Sequence, residues 1–128
     1  MERVATCLCG QLELRCTAEP LRVAVCHCLA CQKQTGSTHN VAGFFDRSDV
    51  SISGESQQYT RRSQAGHAVT HHFCPRCGST VWWGSTSAQD LIAVAVGAFG
   101  DSSFPSPKHE VWTEHRHPWI AVELTGST

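Results

Sequence analysis

The sequence predicts a mainly β fold, with small antiparallel sheets in a tent-like or barrel-like domain. Two observations carry this expectation. Short runs rich in Val, Ile, Thr and aromatic residues recur along the 128 residues, separated by Gly, Ser, Asp and Pro. No stretch shows the spacing of a long amphipathic helix. A chain of this length holds one core of modest size, so residues 1–128 read as a single domain.

In chain order, strands are expected over residues 2–7, 11–16, 22–26, 40–45, 50–53, 57–60, 68–73, 80–84, 91–97 and 109–114. The clearest is Gln11-Leu12-Glu13-Leu14-Arg15, where alternation places both leucines on one face and the polar residues on the other. Residues 30–37 read as a short helical turn ended by Gly36. The segment 54–66 is polar, and 101–108 is a surface loop in which Pro105 and Pro107 cannot continue a ladder. In the pairs Phe44-Phe45 and Trp82-Trp83, neighbours point to opposite faces, so one of each pair belongs to the core and the other can line a groove. Trp112 and Trp119 read as core or packing residues.

Composition excludes several classes. Apolar residues make up 41% and charged residues 16%, unlike a disordered chain. Lys and Arg number 10 against 11 Asp and Glu, so the net charge of −1 offers no bulk positive footprint, and direct nucleic-acid binding is not expected. The N-terminus has no basic start followed by an apolar stretch, and the longest apolar run, 91–96, is far short of the ~20 residues a spanning helix needs. A cytoplasmic protein with no membrane partner is the expectation, with a homodimer as the default assembly.

Eight cysteines dominate the reading, and seven of them fall into three clusters: Cys7-Leu-Cys9-Gly, Cys26-His-Cys28-Leu-Ala-Cys31 and Cys74-Pro-Arg-Cys77-Gly. In a reducing compartment such spacing points to metal or thiol chemistry, and in a secreted chain it would point to disulfides. Two thiolates on a tight turn can share one ion, and a closed structural zinc takes four ligands. The tidiest division assigns Cys7, Cys9, Cys74 and Cys77 to one zinc and Cys26, Cys28 and Cys31 to a second with an open position. His27, His71, His72 or Cys16 could close that second site, and an iron centre or a redox pair at Cys28/Cys31 fits the same spacing. Cys16, ending an alternating strand, reads as a small buried apolar residue.

The order of these clusters resembles the glutathione-dependent formaldehyde-activating enzyme (CENP-V/GFA) family. The resemblance rests on Cys-x-Cys-Gly, on Cys-His-Cys-x-x-Cys followed by Lys33 and Gly36-Ser37, and on Phe73-Cys-x-x-Cys-Gly-Ser79. His109-x-x-Trp112 and Pro118-Trp119 extend it across nearly the whole chain. It implies a mainly β fold with two zinc ions per chain. The first and last clusters would form the structural site, and the middle cluster would form the exchangeable or catalytic one. It also implies a carbon–sulfur lyase activity that joins glutathione and formaldehyde as S-hydroxymethylglutathione, so a small thiol or thiol adduct is the expected partner. A zinc-stabilised binding module and a metal-handling protein are the alternatives.

If the chain is an enzyme, Cys26, Cys28 and Cys31 are the expected catalytic centre, and the hemithioacetal alkoxide needs a proton. His27, His71 and His72 are the candidate donors, with His27 foremost. Lys33, Arg61, Arg62 and Arg76 are the candidate cations for a ligand's carboxylates.

Overall fold

The computed structural model describes residues 2–125 and is mainly β. Its strands are β1 (Arg3–Thr6), β2 (Glu13–Cys16), β3 (Arg22–Cys26), β4 (Asn40–Asp46) and β5 (Val50–Ser53), then β6 (Gln57–Arg62), β7 (Ala68–Phe73), β8 (Thr80–Ser85), β9 (Leu91–Ala95) and β10 (His109–Val111). One short helix, α1 (Leu29–Thr35), follows β3. Gly36 ends it in the left-handed conformation, donating its N–H to the Gln32 carbonyl.

The strands form a three-stranded sheet in the order β1-β2-β5 and a seven-stranded sheet in the order β10-β3-β4-β9-β8-β7-β6. Two expectations need correction. The large sheet is mixed, because β10 pairs parallel with β3. Parallel pairing requires a crossover of a dozen or so residues, and the connection over 96–108 supplies it. Neither sheet is closed into a barrel: the large one keeps β10 and β6 as edges.

Strands β9 and β10 also stop two and three residues short of their expected ends. Strand β9 gives way at Val96 to a 3-10 turn, Val96–Phe99. Strand β10 stops at Val111 because Trp112 takes φ 55° and ψ 42°, which turns the backbone out of the ladder.

The core lies between the sheets. Ala5, Leu12, Leu14 and Cys16 on the small sheet's side pack against Phe45, Val81, Ile92 and Val94 of the large one. Strand alternation then leaves the opposite face of the large sheet for another use: Phe44 is paired with Ala93, and Ala93 with Trp83. Phe45 and Trp82 are the buried members of the two aromatic pairs, and Phe44 and Trp83 line a cleft.

Candidate metal centres and the adjoining cleft

Two cysteine clusters converge from separate turns. In the first, the β1–β2 turn supplies Cys7 and Cys9 and the β7–β8 turn supplies Cys74 and Cys77, with all four sulfurs within 4.8 Å of one another. Nearby donors point at these sulfurs. The Leu12 N–H donates to Cys7 Sγ at 3.3 Å, the Arg76 N–H to Cys74 Sγ at 3.3 Å, and Gln11 Nε2 to Cys74 Sγ at 3.0 Å. Gln11 also brackets the chain after β5, donating to the Glu55 carbonyl and accepting from its N–H.

The thiols of this cluster are pulled in opposite directions. Hydrogen bonds from the Ser79 hydroxyl and backbone bring Cys77 down to about 5. The Gln11 backbone favours the Cys9 thiolate, but desolvation and hydrogen bonds with Cys7, Cys74 and Cys77 outweigh it and raise Cys9 to about 11. Neighbouring thiolates repel, so four converging sulfurs can be charged together only around a cation. The donor set therefore fits a tetrahedral thiolate-binding ion such as zinc.

The second cluster comes from one continuous segment. Cys26 ends β3, Cys28 caps the N-terminus of α1 by accepting from the Cys31 N–H at 3.3 Å, and Cys31 lies in the first turn of that helix. Their sulfurs also fall within 4.8 Å of one another. A hydrogen bond with Cys31 brings Cys26 down to about 6, while the same bond, burial and the charge on Cys26 push Cys31 far up. Three sulfurs and no fourth protein ligand gather here among the described residues. Cys16, one of the residues offered as a fourth ligand, is fully buried in the core between the sheets. All eight cysteines are free.

The clusters differ in what surrounds them. A cleft of about 370 Å³ opens on the face of the large sheet turned away from the core, and Cys26, Cys28 and Cys31 all line it. None of Cys7, Cys9, Cys74 or Cys77 does. Phe44, Trp83 and Trp112 add aromatic wall, Arg22 and Arg61 add positive charge, and Arg62, also in the lining, donates from Nη1 to the Gly66 carbonyl. Arg61 Nε donates to His71 Nε2 at 3.2 Å.

The structure gives His27 a different place from the one expected of a proton donor. Cys26 and Cys28 face the cleft, so the residue between them points away, and its ring is fully buried. His27 Nε2 lies 2.7 Å from Glu110 Oε2, and Arg116 donates to both oxygens of the same carboxylate at 3.1 Å. Burial opposes the Glu110 charge, but the hydrogen bonds from His27 and Arg116 hold its carboxyl below the ordinary value. Buried His27 and half-buried Glu110 clamp β10 against the cysteine segment, with the backbone N–H of His27 donating to the Val111 carbonyl.

His71 and His72 do not line the cleft either. Burial, Arg61 and His72 bring His71 down to about 4, and the His72 ring stacks on Trp82 at 3.7 Å. Lys33 and Arg76 also lie outside the lining, and Arg76 pairs with Glu55 at the surface.

Sequence reasoning missed Arg22, Glu110 and the role of Trp112. Arg22 was findable, because it shares a strand face with Ala24 and Cys26. Trp112 is 39% exposed and Trp119 is 72% exposed, so neither is a core residue. Trp112 is also the one non-glycine residue with positive φ among those described, a conformation that costs about 1–2 kcal/mol. The strain falls at the cleft wall.

Comparison with known proteins agrees with this architecture. A solved structure of a Rhodobacter sphaeroides protein, from a structural-genomics programme, superposes with a TM-score of 0.58 at 22% identity. The match covers 74% of this chain and 85% of that one, and identity this low shows a shared fold alone. No protein of curated function matches the sequence. Residues 2–115 match the family described as glutathione-dependent formaldehyde-activating enzyme. With nearly the whole chain matched and two cysteine clusters able to chelate metal, this protein belongs to that family.

Proposed function

We propose that the protein is a zinc-dependent carbon–sulfur lyase-type enzyme that makes and breaks thiol–aldehyde adducts, S-hydroxymethylglutathione being the adduct the family description suggests. One observation carries this reading. The three-sulfur cluster lines the large cleft, and the four-sulfur cluster does not. Cys7, Cys9, Cys74 and Cys77 would hold a structural zinc ion that ties the β1–β2 turn to the β7–β8 turn. Cys26, Cys28 and Cys31 would hold a second. Bound there, zinc would supply Lewis acidity that favours the thiolate form of a substrate sulfur near neutral pH.

In the synthetic direction, a sulfur lone pair forms a bond to the aldehyde carbon and the carbonyl π pair moves to oxygen. That oxygen gains a proton to match the one the thiol lost. Among the described residues no histidine lines the cleft, which leaves the hydroxyls of Ser63, Ser85 and Ser87 and solvent as sources of that proton. The chain's own residues hold the reactants: Phe44 and Trp83 exclude water along the wall, and Asn40 Nδ2 lies 4.0 Å from Cys31 Sγ and orients that sulfur. His27 and Glu110 are positioning residues that hold the cysteine segment from behind. The reading takes the chain as one domain of a reducing compartment such as the cytoplasm, where clustered cysteines point to metal and not to disulfides.

Metal analysis of the wild type, Cys28→Ser and Cys74→Ser tests the division. Adduct exchange between glutathione and formaldehyde, followed by NMR, tests the chemistry. Wild type should carry two zinc ions per chain, and Cys28→Ser should remain folded with about one ion and no exchange above background. Cys74→Ser should lose stability. Unchanged exchange in Cys28→Ser, or a second ion fully enclosed by protein ligands, overturns the proposal.

A further inference from the structure

We infer that Gln32 is the positioning residue that seats Trp112 on the rim of the cleft, so that the aromatic rim and the three-sulfur cluster order one another. The inference takes from the proposal above only that Cys26, Cys28 and Cys31 hold an ion, and it is independent of the reaction run there.

The amide of Gln32 is the first ground. Gln32 follows Cys31 in α1 and is half-buried, and both its N–H groups and its oxygen are engaged. Nε2 donates to the His27 carbonyl at 2.9 Å and to the His115 carbonyl at 3.1 Å, and Oε1 accepts from His117 Nε2 at 2.9 Å. Carbonyls can only accept, so the amide has one orientation here. One side chain of the cysteine segment thus holds residues 83 and 85 positions further along the chain. Gln34 of the same helix turns elsewhere, donating to Thr80 Oγ1.

The backbone at Trp112 is the second ground. Its φ of 55° is unfavourable for a residue with a side chain, and such a conformation persists only where the surroundings over-determine it. Both flanks do so. Before it, Glu110 and Val111 are held by the ring and the backbone N–H of His27. After it, the His115 N–H donates to the Trp112 carbonyl, and Gln32 holds that turn at the His115 carbonyl. Both anchors lie in or beside the stretch that carries the three sulfurs. Release of Gln32 frees one flank of the strained residue, and the indole then leaves the cleft wall. An ion that fixes residues 26–31 therefore steadies the rim, and linkage requires the rim to help retain the ion.

Amide hydrogen exchange followed by NMR on the zinc-loaded protein tests this. It is read at His115 and Arg116, whose N–H groups donate to the Trp112 and Thr113 carbonyls. Gln32→Glu is close to isosteric and keeps the oxygen facing His117 while losing both donors. It should speed exchange at both amides about tenfold and leave those of β8 and β9 within about twofold of wild type. Competition with a chelator should find the second ion held at least about threefold more weakly, and the four-sulfur ion unchanged. Gln34→Ala should leave His115 and Arg116 as they are in wild type. Adding Trp112→Gly to Gln32→Glu should restore about tenfold of protection, because glycine takes the left-handed backbone without strain.

Wild-type exchange at His115 in Gln32→Glu, acceleration spread equally over β8 and β9, or equal acceleration in Gln34→Ala overturns the inference. So does a second ion held as tightly as in wild type, or no recovery on adding Trp112→Gly. The two readings fail separately. A wild type without a second ion removes the metal reading, and exchange in the three variants still decides the seat. Two retained ions with no change at His115 in Gln32→Glu removes the seat and leaves the metal reading standing.

Discussion

Substituting Gly54 by alanine offers a direct test of how the four-sulfur cluster is held. Gly54 sits at φ +97°, and a Cβ there would lie 2.0 Å from the Gln11 carbonyl oxygen and 3.0 Å from Gln11 Oε1. An ordinary contact needs more than 1 Å of additional separation, which rigid backbone can supply only by moving the Gln11 segment. Gln11 is the residue whose amide donates to Cys74 Sγ and brackets Glu55, so the movement reaches the cluster directly.

Gly66, at φ +90° with nothing within 4 Å of its would-be Cβ, is the matched control. Both alanines bear a similar backbone cost of about 1–2 kcal/mol. Gly54→Ala adds about 1–3 kcal/mol of overpacking. It also loses one or more hydrogen bonds at about 0.5–1.5 kcal/mol each. Urea denaturation of the zinc-loaded variants should therefore place Gly54→Ala about 2–4 kcal/mol below Gly66→Ala. Gly54→Ala should also yield its structural zinc to a chelator faster than wild type does. Equal losses in the two variants, within about 0.5 kcal/mol, would refute the role given to the Gln11 contact.

Two further outcomes concern Glu110 and Cys16. Glu110 has a folded pKa below its ordinary 4.5, so its contribution to stability is present above that value and fades as pH falls through the folded one. Glu110→Gln should lower the unfolding midpoint at pH 7 and flatten the acid side of the stability profile, and an acid limb as steep as wild type's would sink the clamp assigned to His27 and Glu110. Cys16 is fully buried and pushed up to about 11 by that burial, so alkylation at pH 8 should modify it only as fast as the domain unfolds. Exposed Cys9 should react once a chelator is added, and peptide mapping that finds Cys16 labelled first would contradict the packing described.

The sequence by itself determined the elements and the cysteine groupings. Alternation around Leu12 and Leu14 located a buried face, Gly36 ended the only α-helix among the described residues, and the Cys-x-Cys and Cys-x-x-Cys spacings reduced the metal question to a division of seven sulfurs. These are local signals: period, turn chemistry and ligand spacing act over a few residues. The tertiary structure decided what no local signal carries. It closed the four-sulfur cluster across strands distant in sequence, laid β10 parallel to β3, and turned the middle cluster toward a cleft. It also set His27, the residue after β3, against Glu110 of β10. Which face of a strand meets solvent, and which distant arginine shares it, depends on register between strands. Register is settled by the whole sheet packing against its core, so the chain had to fold before the charge and wall of the cleft could be read.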